Sequence, residues 1–156
     1  MKNLFWPIII ASVLIISLIV LGFTLLQVQE QKASLISDLE NRTQILSESF
    51  KESIEPAYNA KSYDVLQKTL NKFASKQNIV GLLVYDADRK LVASAGEAEA
   101  KVINNSLINQ VVSQNKPEGI FVAVKNSNLY QFAEPLREND SIVGLLVIVQ
   151  RVDYID

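Results

Sequence analysis

The side chains that could carry out chemistry in this sequence are few, and two of the most useful types are missing. The chain of 156 residues contains no cysteine and no histidine. It therefore has no thiol nucleophile, no thiolate or imidazole metal ligand, and no histidine to act as a general base or as a phosphoacceptor. Its 15 basic and 17 acidic residues nearly balance and are scattered, which argues against a nucleic-acid-binding surface.

The remaining candidates for catalysis or metal binding lack a supporting motif. Asp86 and Asp88 are close together, but the further acidic ligands of a calcium loop do not follow them. Ser94 has no G-x-S-x-G or S-x-x-K context, so a serine nucleophile is not indicated. All five glycines are isolated, which excludes a glycine-rich phosphate loop. The sequence thus predicts neither an enzyme nor a protein that holds a metal or a cofactor.

An apolar run at the N-terminus determines where the rest of the chain lies relative to a membrane. Leu4–Leu26 contains no charged residue, and as a helix it would be about 34 Å long, enough to cross a bilayer core of about 30 Å. A cleaved signal peptide is the competing interpretation, but its apolar region is shorter, and residues 24–31 contain no small-x-small cleavage site. We therefore predict an uncleaved transmembrane anchor over residues 1–28, with Phe5 and Trp6 at one interface.

The charges that flank this run bear on its orientation. Lys2 precedes the run, and Lys32 and Arg42 follow it, so the positive-inside bias is weak. Long segments nevertheless cross the membrane largely regardless of their charge. We expect a single-pass protein of the cytoplasmic (inner) membrane, with its N-terminus inside and about 130 residues on the extracytoplasmic side.

A helical pattern continues beyond the apolar run. No glycine or proline interrupts residues 23–55, and apolar residues recur there at spacings of three, four and seven. The sequence predicts a long juxtamembrane helix over residues 29–58 that kinks or ends at Pro56. Its apolar stripe could pack on its own domain or pair with a second copy of the chain, and the pattern favours neither. A second helix fits Ser62–Ser75, with Ser62 as its N-cap.

From residue 59 to residue 156 the pattern predicts a small α+β domain. Short β-rich runs are separated by polar turns, and one further helix is expected over Val102–Ser113. The predicted strands are Ile79–Tyr85, Leu91–Ala95, Gly119–Lys125, Leu129–Pro135 and Ile142–Gln150.

Two of these strands contain the same six residues. The run Ile-Val-Gly-Leu-Leu-Val begins at Ile79 and again at Ile142. Neither run alternates with polar residues, which is typical of strands covered on both faces. If both are central and the short connections are hairpins, the antiparallel sheet has the order 2-1-5-4-3. We expect the helices to cover one face of it.

The element order and two stretches of local sequence resemble a known family. Residues 84–94 (VYDADRKLVAS) are similar to the first hairpin, and residues 130–137 (YQFAEPLR) with residues 143–149 (VGLLVIV) are similar to the closing hairpin, of the single-Cache or PAS-like extracytoplasmic sensor region of bacterial receptors. The first turn of the family usually has a glycine near the positions of Arg89 or Lys90, and this chain has none there. The resemblance implies a sensor module that binds a small ligand or a partner and transmits a helix shift across the membrane.

The resemblance also implies a ligand pocket between sheet and helices. The polar residues expected to line it are Tyr85, Ser94, Lys125, Tyr130 and Arg137. A basic residue there would suit a carboxylate ligand. We expect a homodimer in the lipid bilayer, and an output domain that is absent from this chain. The alternative is a membrane-tethered assembly scaffold with a coiled stem and a small α+β head.

Overall fold

A computed structural model describes residues 5–75, 79–99, 103–124 and 127–152. The chain divides into two compact units, Met1–Leu39 and Glu40–Asp156. The helices are α1 (Phe5–Asn59), α2 (Tyr63–Ala74) and α3 (Asn105–Gln114). The strands are β1 (Ile79–Asp86), β2 (Leu91–Gly96), β3 (Glu118–Val124), β4 (Ser127–Glu138) and β5 (Ser141–Arg151).

In the first unit, α1 presents its apolar side chains to the surroundings. The side chains described between Ile9 and Phe23 are all exposed, and Leu18 and Phe23 are exposed over 70% and 73% of their surface. In the part of the chain that the structure describes, no helix has a stretch both long and apolar enough to cross a membrane. Leu4, where the predicted anchor begins, lies outside the described residues.

In the second unit the five strands form one sheet in the order β2-β1-β5-β4-β3, with every pair antiparallel. This confirms the predicted order and the central position of the two repeated runs. Leu82, Leu83 and Val84 pair with Ile148, Val147 and Leu146, and all six side chains are completely buried. Burial on both faces explains why these strands lack polar alternation.

The helices cover both faces of the sheet, so the prediction of a single covered face is wrong. The α1 face carries Phe50, Ile54, Leu66 and Leu70 of α1 and α2. The α3 face carries Leu107, Ile108 and Val111 of α3. Adjacent residues of β1 and β5 divide between these two clusters, because successive side chains of a strand point to opposite faces.

Helix α2 has Ser62 and Ser75 as its caps, as predicted, whereas Pro56 does not end α1 and the cap of α2 lacks a side-chain hydrogen bond. Pro56 lies inside α1, which continues to Asn59. Proline removes one backbone hydrogen bond, and Ala57, Tyr58 and Asn59 still make tertiary contacts that stabilise the last turn. Ser62 is the N-cap residue of α2, but its side chain makes no capping hydrogen bond.

The other boundaries follow local chemistry. The predicted start of α3 at Val102 lies outside the described residues, and the helix begins after Asn104, whose side chain accepts a hydrogen bond from the Ser106 N–H at 2.8 Å. Strand β4 does not end at Pro135. Strand β3 pairs with β4 only as far as Ala133, so at Pro135 the strand has a neighbour on one side only and the missing N–H is tolerated.

Two hairpin turns use residues with positive φ. In the β1–β2 turn, where a glycine was expected near Arg89 or Lys90, Arg89 has a φ of 62°, and its N–H donates to the Asp86 carbonyl at 3.0 Å. Between β4 and β5, Asn139 and Asp140 have φ values of 48° and 64°. Two successive residues with positive φ form the tight two-residue turn of a β-hairpin. Asn and Asp adopt positive φ more readily than most residues other than glycine.

Candidate functional site

A row of polar side chains on α1 faces strands β4 and β5. The row consists of five residues at intervals of four, and we call it the polar ladder: Thr43, Ser47, Lys51, Glu55 and Asn59. Residues four apart lie on one face of a helix. Each of the five makes a hydrogen bond to a group on β4 or β5.

The first three contacts surround two buried side chains of the sheet. The Thr43 hydroxyl donates to Gln150 Oε1 at 3.0 Å. The Glu134 carboxylate accepts from Ser47 Oγ at 3.2 Å and from Lys51 Nζ at 3.1 Å. Glu134 is only 4% exposed. A carboxylate at this depth is stable only when it is paired and hydrogen-bonded, and α1 supplies both partners.

The last two contacts of the polar ladder use the backbone of one residue. The Arg137 N–H donates to Glu55 Oε1 at 2.7 Å, and the Arg137 carbonyl accepts from Asn59 Nδ2 at 3.1 Å. The pairing of β4 with β5 shifts register between Leu136 and Arg137. A bulge leaves backbone groups outside the strand ladder, and α1 satisfies those of Arg137. The residue before Asn59 in α1, Tyr58, donates its hydroxyl hydrogen to the Val143 carbonyl at 2.8 Å.

The polar ladder joins α1 to the sheet through charged and neutral hydrogen bonds. Lys51 also lies 4.0 Å from Glu55, so one ammonium group stands between two carboxylates. Within the described ranges no group of three or more acidic side chains could hold a metal ion. Burial raises the pKa of the Tyr58 phenol, and the negative charge of Asp86 adds to this effect. These groups can orient α1 on the sheet.

Four of the five predicted ligand-binding residues lie in the described part of the chain, and the structure does not bring these four together. Tyr85 is buried on the α3 face, whereas Tyr130 is on the opposite face, beside Phe121 with a ring-centroid distance of 4.8 Å. Ser94 is exposed on the edge strand β2. Lys125 lies outside the described residues. Since the tyrosines are on opposite faces of the sheet, the set cannot line one pocket.

The Arg137 side chain has a structural contact instead. Its Nη2 donates to the Asn115 carbonyl at 3.1 Å, and its Nη1 donates to the Asp140 carbonyl at 3.3 Å. Asn115 is the C-cap of α3 and has a φ of 55°. The guanidinium therefore connects the end of α3 with the β4–β5 turn.

A cleft of about 420 Å³ lies at the end of the sheet where α2 and β2 finish. Its volume falls in the range of small-ligand sites. Its lining residues are Ala74, Ile79, Val80, Gly96, Glu97 and Arg151. Glu97 and Arg151 bring opposite charges to one opening, because β1 lies between β2 and β5. Gly96 has a φ of 89°, and a Cβ there would meet the Val80 carbonyl oxygen.

Sequence reasoning missed both of these features. The four-residue spacing of polar residues on α1 is visible in the sequence, but its partners Glu134 and Gln150 are far away along the chain and depend on the packing of α1. Glu97 and Arg151 carry no local signal, because only the strand order brings them together.

The likenesses found in comparisons with known proteins are to solved structures. No family model matches the sequence, and no curated protein does. Among solved structures, the chain is similar to the sensor domain of the V. cholerae histidine kinase DctB, with 14% sequence identity and a TM-score of 0.47. The match covers 83% of this chain and 59% of that domain.

Proposed function

We propose that this chain is the membrane-anchored, extracytoplasmic sensor module of a bacterial signal-transduction receptor. In this proposal Leu4–Leu26 anchors the chain in the cytoplasmic membrane with the N-terminus inside. The α+β unit on the far side binds a small ligand or a partner, and α1 carries the resulting shift toward the membrane. Motions of about 1–2 Å between packed helices are sufficient for switching.

The observation that carries the proposal is the composition of α1. One helix, Phe5–Asn59, includes both the exposed apolar segment and the polar ladder that holds the sheet. Exposed apolar surface on this scale is unfavourable in water and favourable in lipid. A change in the position of β4 therefore acts directly on the helix that contains the proposed anchor.

The cleft beside Arg151 is the site we propose for a small ligand. A guanidinium group binds carboxylates through charge-assisted hydrogen bonds, and Glu97 on the same opening could receive an amino group. This site replaces the predicted set of five residues, of which Tyr85 and Tyr130 lie on opposite faces of the sheet.

Topology is tested by cysteine labelling, because the natural chain has no cysteine. Asn109→Cys lies on the exposed side of α3. In bacterial cells whose cytoplasmic membrane is intact but whose periplasm the reagent can enter, this cysteine should react with a membrane-impermeant maleimide. The matched variant Asn3→Cys should react only after the cells are lysed. Labelling of both variants only after lysis would contradict the proposed topology.

Ligand binding is tested by thermal denaturation of the full chain in detergent with a panel of small mono- and dicarboxylates. A ligand of the native state raises the melting temperature. An increase that Arg151→Ala removes and Lys116→Ala preserves supports the cleft. If no carboxylate has an effect, the proposal of a carboxylate ligand is wrong, and a protein partner or the scaffold role becomes the better interpretation.

We also propose that the receptor module works as a homodimer. Ile45 is an aliphatic residue on the outer side of α1 and is 69% exposed. Ile45→Cys in vesicles should form a disulfide between two copies under mild oxidation, and Asn109→Cys on α3 should not. Equal yields at the two positions would indicate random collision.

A further inference from the structure

Both copies of the repeated run have a glycine at the third position, Gly81 in β1 and Gly144 in β5. A glycine inside a strand contributes no side-chain packing and often marks a bulge or the close approach of another segment. Both features occur in each copy. The register of β1 against β5 shifts at Val80, and the register of β5 against β4 shifts at Val143. The tripeptide Ile-Val-Gly therefore forms a bulge twice in one chain.

The bulge in β5 holds the last turn of α1. The Val143 carbonyl accepts a hydrogen bond from the Tyr58 hydroxyl at 2.8 Å. A Cβ at Gly144 would lie 2.7 Å from that hydroxyl oxygen and 2.6 Å from the Tyr85 carbonyl oxygen. Both distances are too short for a carbon atom, so a side chain at position 144 would push Tyr58 away from the sheet.

The bulge in β1 holds the segment that follows β2. The Val80 carbonyl accepts two hydrogen bonds, from the Glu97 N–H at 2.7 Å and from the Ala98 N–H at 3.1 Å. A Cβ at Gly81 would overlap the Ala98 Cβ and would lie 2.9 Å from the Ala98 nitrogen. Glu97 lines the proposed cleft. The absence of a side chain at Gly81 therefore helps to place a charged residue of that cleft.

The two bulges open to opposite faces of the sheet. The leucine after Gly81 belongs to the core on the α1 face, and the leucine after Gly144 belongs to the core on the α3 face. Since successive side chains of a strand alternate, position 81 faces α3 and position 144 faces α1. The attached residues agree with this assignment, because Ala98 packs against the α3-face core and Tyr58 against the α1-face core.

A glycine alone does not account for the bulges. Gly119 of β3 follows Glu118 instead of a valine, and β3 pairs with β4 without a register shift. In the two repeated runs the shift falls on the valine that precedes the glycine. The whole tripeptide, rather than its glycine, is the feature that the two bulges share.

We infer that the tripeptide Ile-Val-Gly is an attachment site for segments outside the sheet. The valine carbonyl, displaced from the strand ladder, accepts a hydrogen bond from the incoming segment, and the glycine leaves room for that segment. Gly144 is then a positioning residue for α1, and Gly81 is a positioning residue for Glu97. The two attachments do not depend on the proposed function, whereas the part that Glu97 takes in ligand binding rests on it.

Hydrogen exchange of single backbone amides, measured by NMR in the full chain in detergent, tests both attachments. The cleft reporters are the amides of Glu97 and Ala98, which bond to the β1 bulge. The α1 reporter is the Ala60 amide, which donates to the Pro56 carbonyl at 3.1 Å at the end of the helix. The global reporter is the amide of Leu83, a completely buried residue of a central strand.

The two glycine substitutions should act on different reporters, and each is the matched control of the other. Gly81→Ala should accelerate exchange of the cleft reporters about tenfold relative to the global reporter and leave the α1 reporter unchanged on that scale. Gly144→Ala should accelerate the α1 reporter by a similar factor and leave the cleft reporters unchanged.

Milder variants keep the test decisive if a glycine variant does not fold. Tyr58→Phe removes only the hydroxyl donor and should accelerate the α1 reporter about fivefold. Tyr63→Phe is its control, since Tyr63 is 51% exposed, and it should have no effect. Gly81→Ala combined with Ala98→Gly removes the overlap of the two Cβ atoms, so it should restore folding or slow the exchange of the Glu97 amide again.

Two results would overturn the inference. One is equal acceleration of the cleft and α1 reporters by both glycine variants, which would mean that the glycines support the sheet as a whole. The other is an α1 reporter that does not respond to Tyr58→Phe. Thermal denaturation with the carboxylate panel is a separate measurement, so the lack of a ligand response would contradict the proposed cleft without altering these exchange results.

Discussion

On the α1 face of the sheet, apolar side chains lie beside a row of directed hydrogen bonds, whereas on the α3 face the described core is almost entirely apolar. The α1 face has Glu134, Ser47 and Thr43 buried among Phe50 and Ile54. On the α3 face the buried polar side chain is Gln131, whose Oε1 accepts the Asn104 N–H at 2.9 Å.

This difference separates stability from positional specificity. Burial of apolar surface is favourable but has no direction, and on the α3 face it is supplemented by hydrogen bonds at the two ends of α3, from the Asn104 N–H to Gln131 and from Arg137 to the Asn115 carbonyl. Hydrogen bonds require fixed distances and angles, and each adds only about 0.5–1.5 kcal/mol net. The α1 face therefore combines apolar contacts, which the α3 face also has, with the directed hydrogen bonds of the polar ladder.

The largest effect is expected from truncation of apolar residues, and it should be similar on both faces. Phe50 is completely buried and stacks on Phe73 with ring centroids 4.1 Å apart, so Phe50→Ala should cost about 3–5 kcal/mol. Leu107 of α3 is also completely buried, and Leu107→Ala should cost about 2–5 kcal/mol. Urea unfolding of the full chain in detergent, followed through tyrosine circular dichroism, measures both. If one of the two substitutions lowers the free energy of unfolding by less than 1 kcal/mol and the other does not, the apolar contacts of the two faces do not contribute equally to stability.

A smaller effect is expected at Glu134. Glu134→Ala removes the acceptor of Ser47 and Lys51, and the loss should be about 1–3 kcal/mol. Lys51 is 22% exposed and can reach water, which limits the cost. Glu134→Gln keeps an acceptor oxygen and should cost less than Glu134→Ala in the same urea experiment. If Glu134→Ala is as stable as the natural chain, the buried contacts of the polar ladder are energetically neutral.

The N-cap of α3 tests the polar contribution on the other face. The Asn104 side chain accepts from the Ser106 N–H and from the Ser106 hydroxyl at 2.7 Å. Asn104→Ala should destabilise the protein by about 1 kcal/mol. Asn105→Ala, one residue later and exposed, is the control and should have little effect. Hydrogen exchange should show faster opening of α3 alone, and an equal acceleration in α1 would mean that the two faces are coupled.

The last effect is expected only at alkaline pH and is absent at neutral pH. Burial raises the pKa of the Tyr130 phenol above its ordinary value of 10.0, and the negative charges of Glu40 and Glu118 act in the same direction. The folded state therefore holds this proton more tightly than the unfolded state. The free energy of unfolding should be independent of this group below pH 10 and should fall above it, by up to about 1.4 kcal/mol per pH unit.

Tyr130→Phe provides the comparison for this pH dependence. The variant should have a shallower decrease of the free energy of unfolding above pH 10 than the natural chain, because one raised pKa is removed. Phenolate absorbance recorded in the same titration shows whether the remaining tyrosines ionise before the protein unfolds. Identical slopes for the two proteins would show that Tyr130 ionises equally readily in the folded and unfolded states.

The parts of the fold that local patterns encode could be predicted. The repeated run at Ile79 and Ile142 identified the two central strands, and the short polar turns identified the hairpins. The residues at which helices end were harder to predict. Pro56 predicts an end to α1 in any isolated helix, but tertiary contacts of Tyr58 and Asn59 with the β4–β5 region extend it.

The candidate site could not be predicted from residue types. Tyr130 and Tyr85 both looked like pocket residues, yet they lie on opposite faces of the sheet. Glu134 was unremarkable in the sequence, since a glutamate within a strand is usually exposed. Its burial depends on where α1 crosses the sheet, and periodicity within α1 does not contain that information.

The sequence by itself determined the elements, the central strand pair and the apolar segment at the start of α1, because these depend on residues close together in the chain. Only the tertiary structure decided that helices cover both faces, that Lys51 meets Glu134, and that Glu97 and Arg151 share one cleft. Those features join residues 54 or more positions apart. Such pairs are selected by packing and by the exclusion of unpaired buried charge, which act only once the sheet and its helices have assembled.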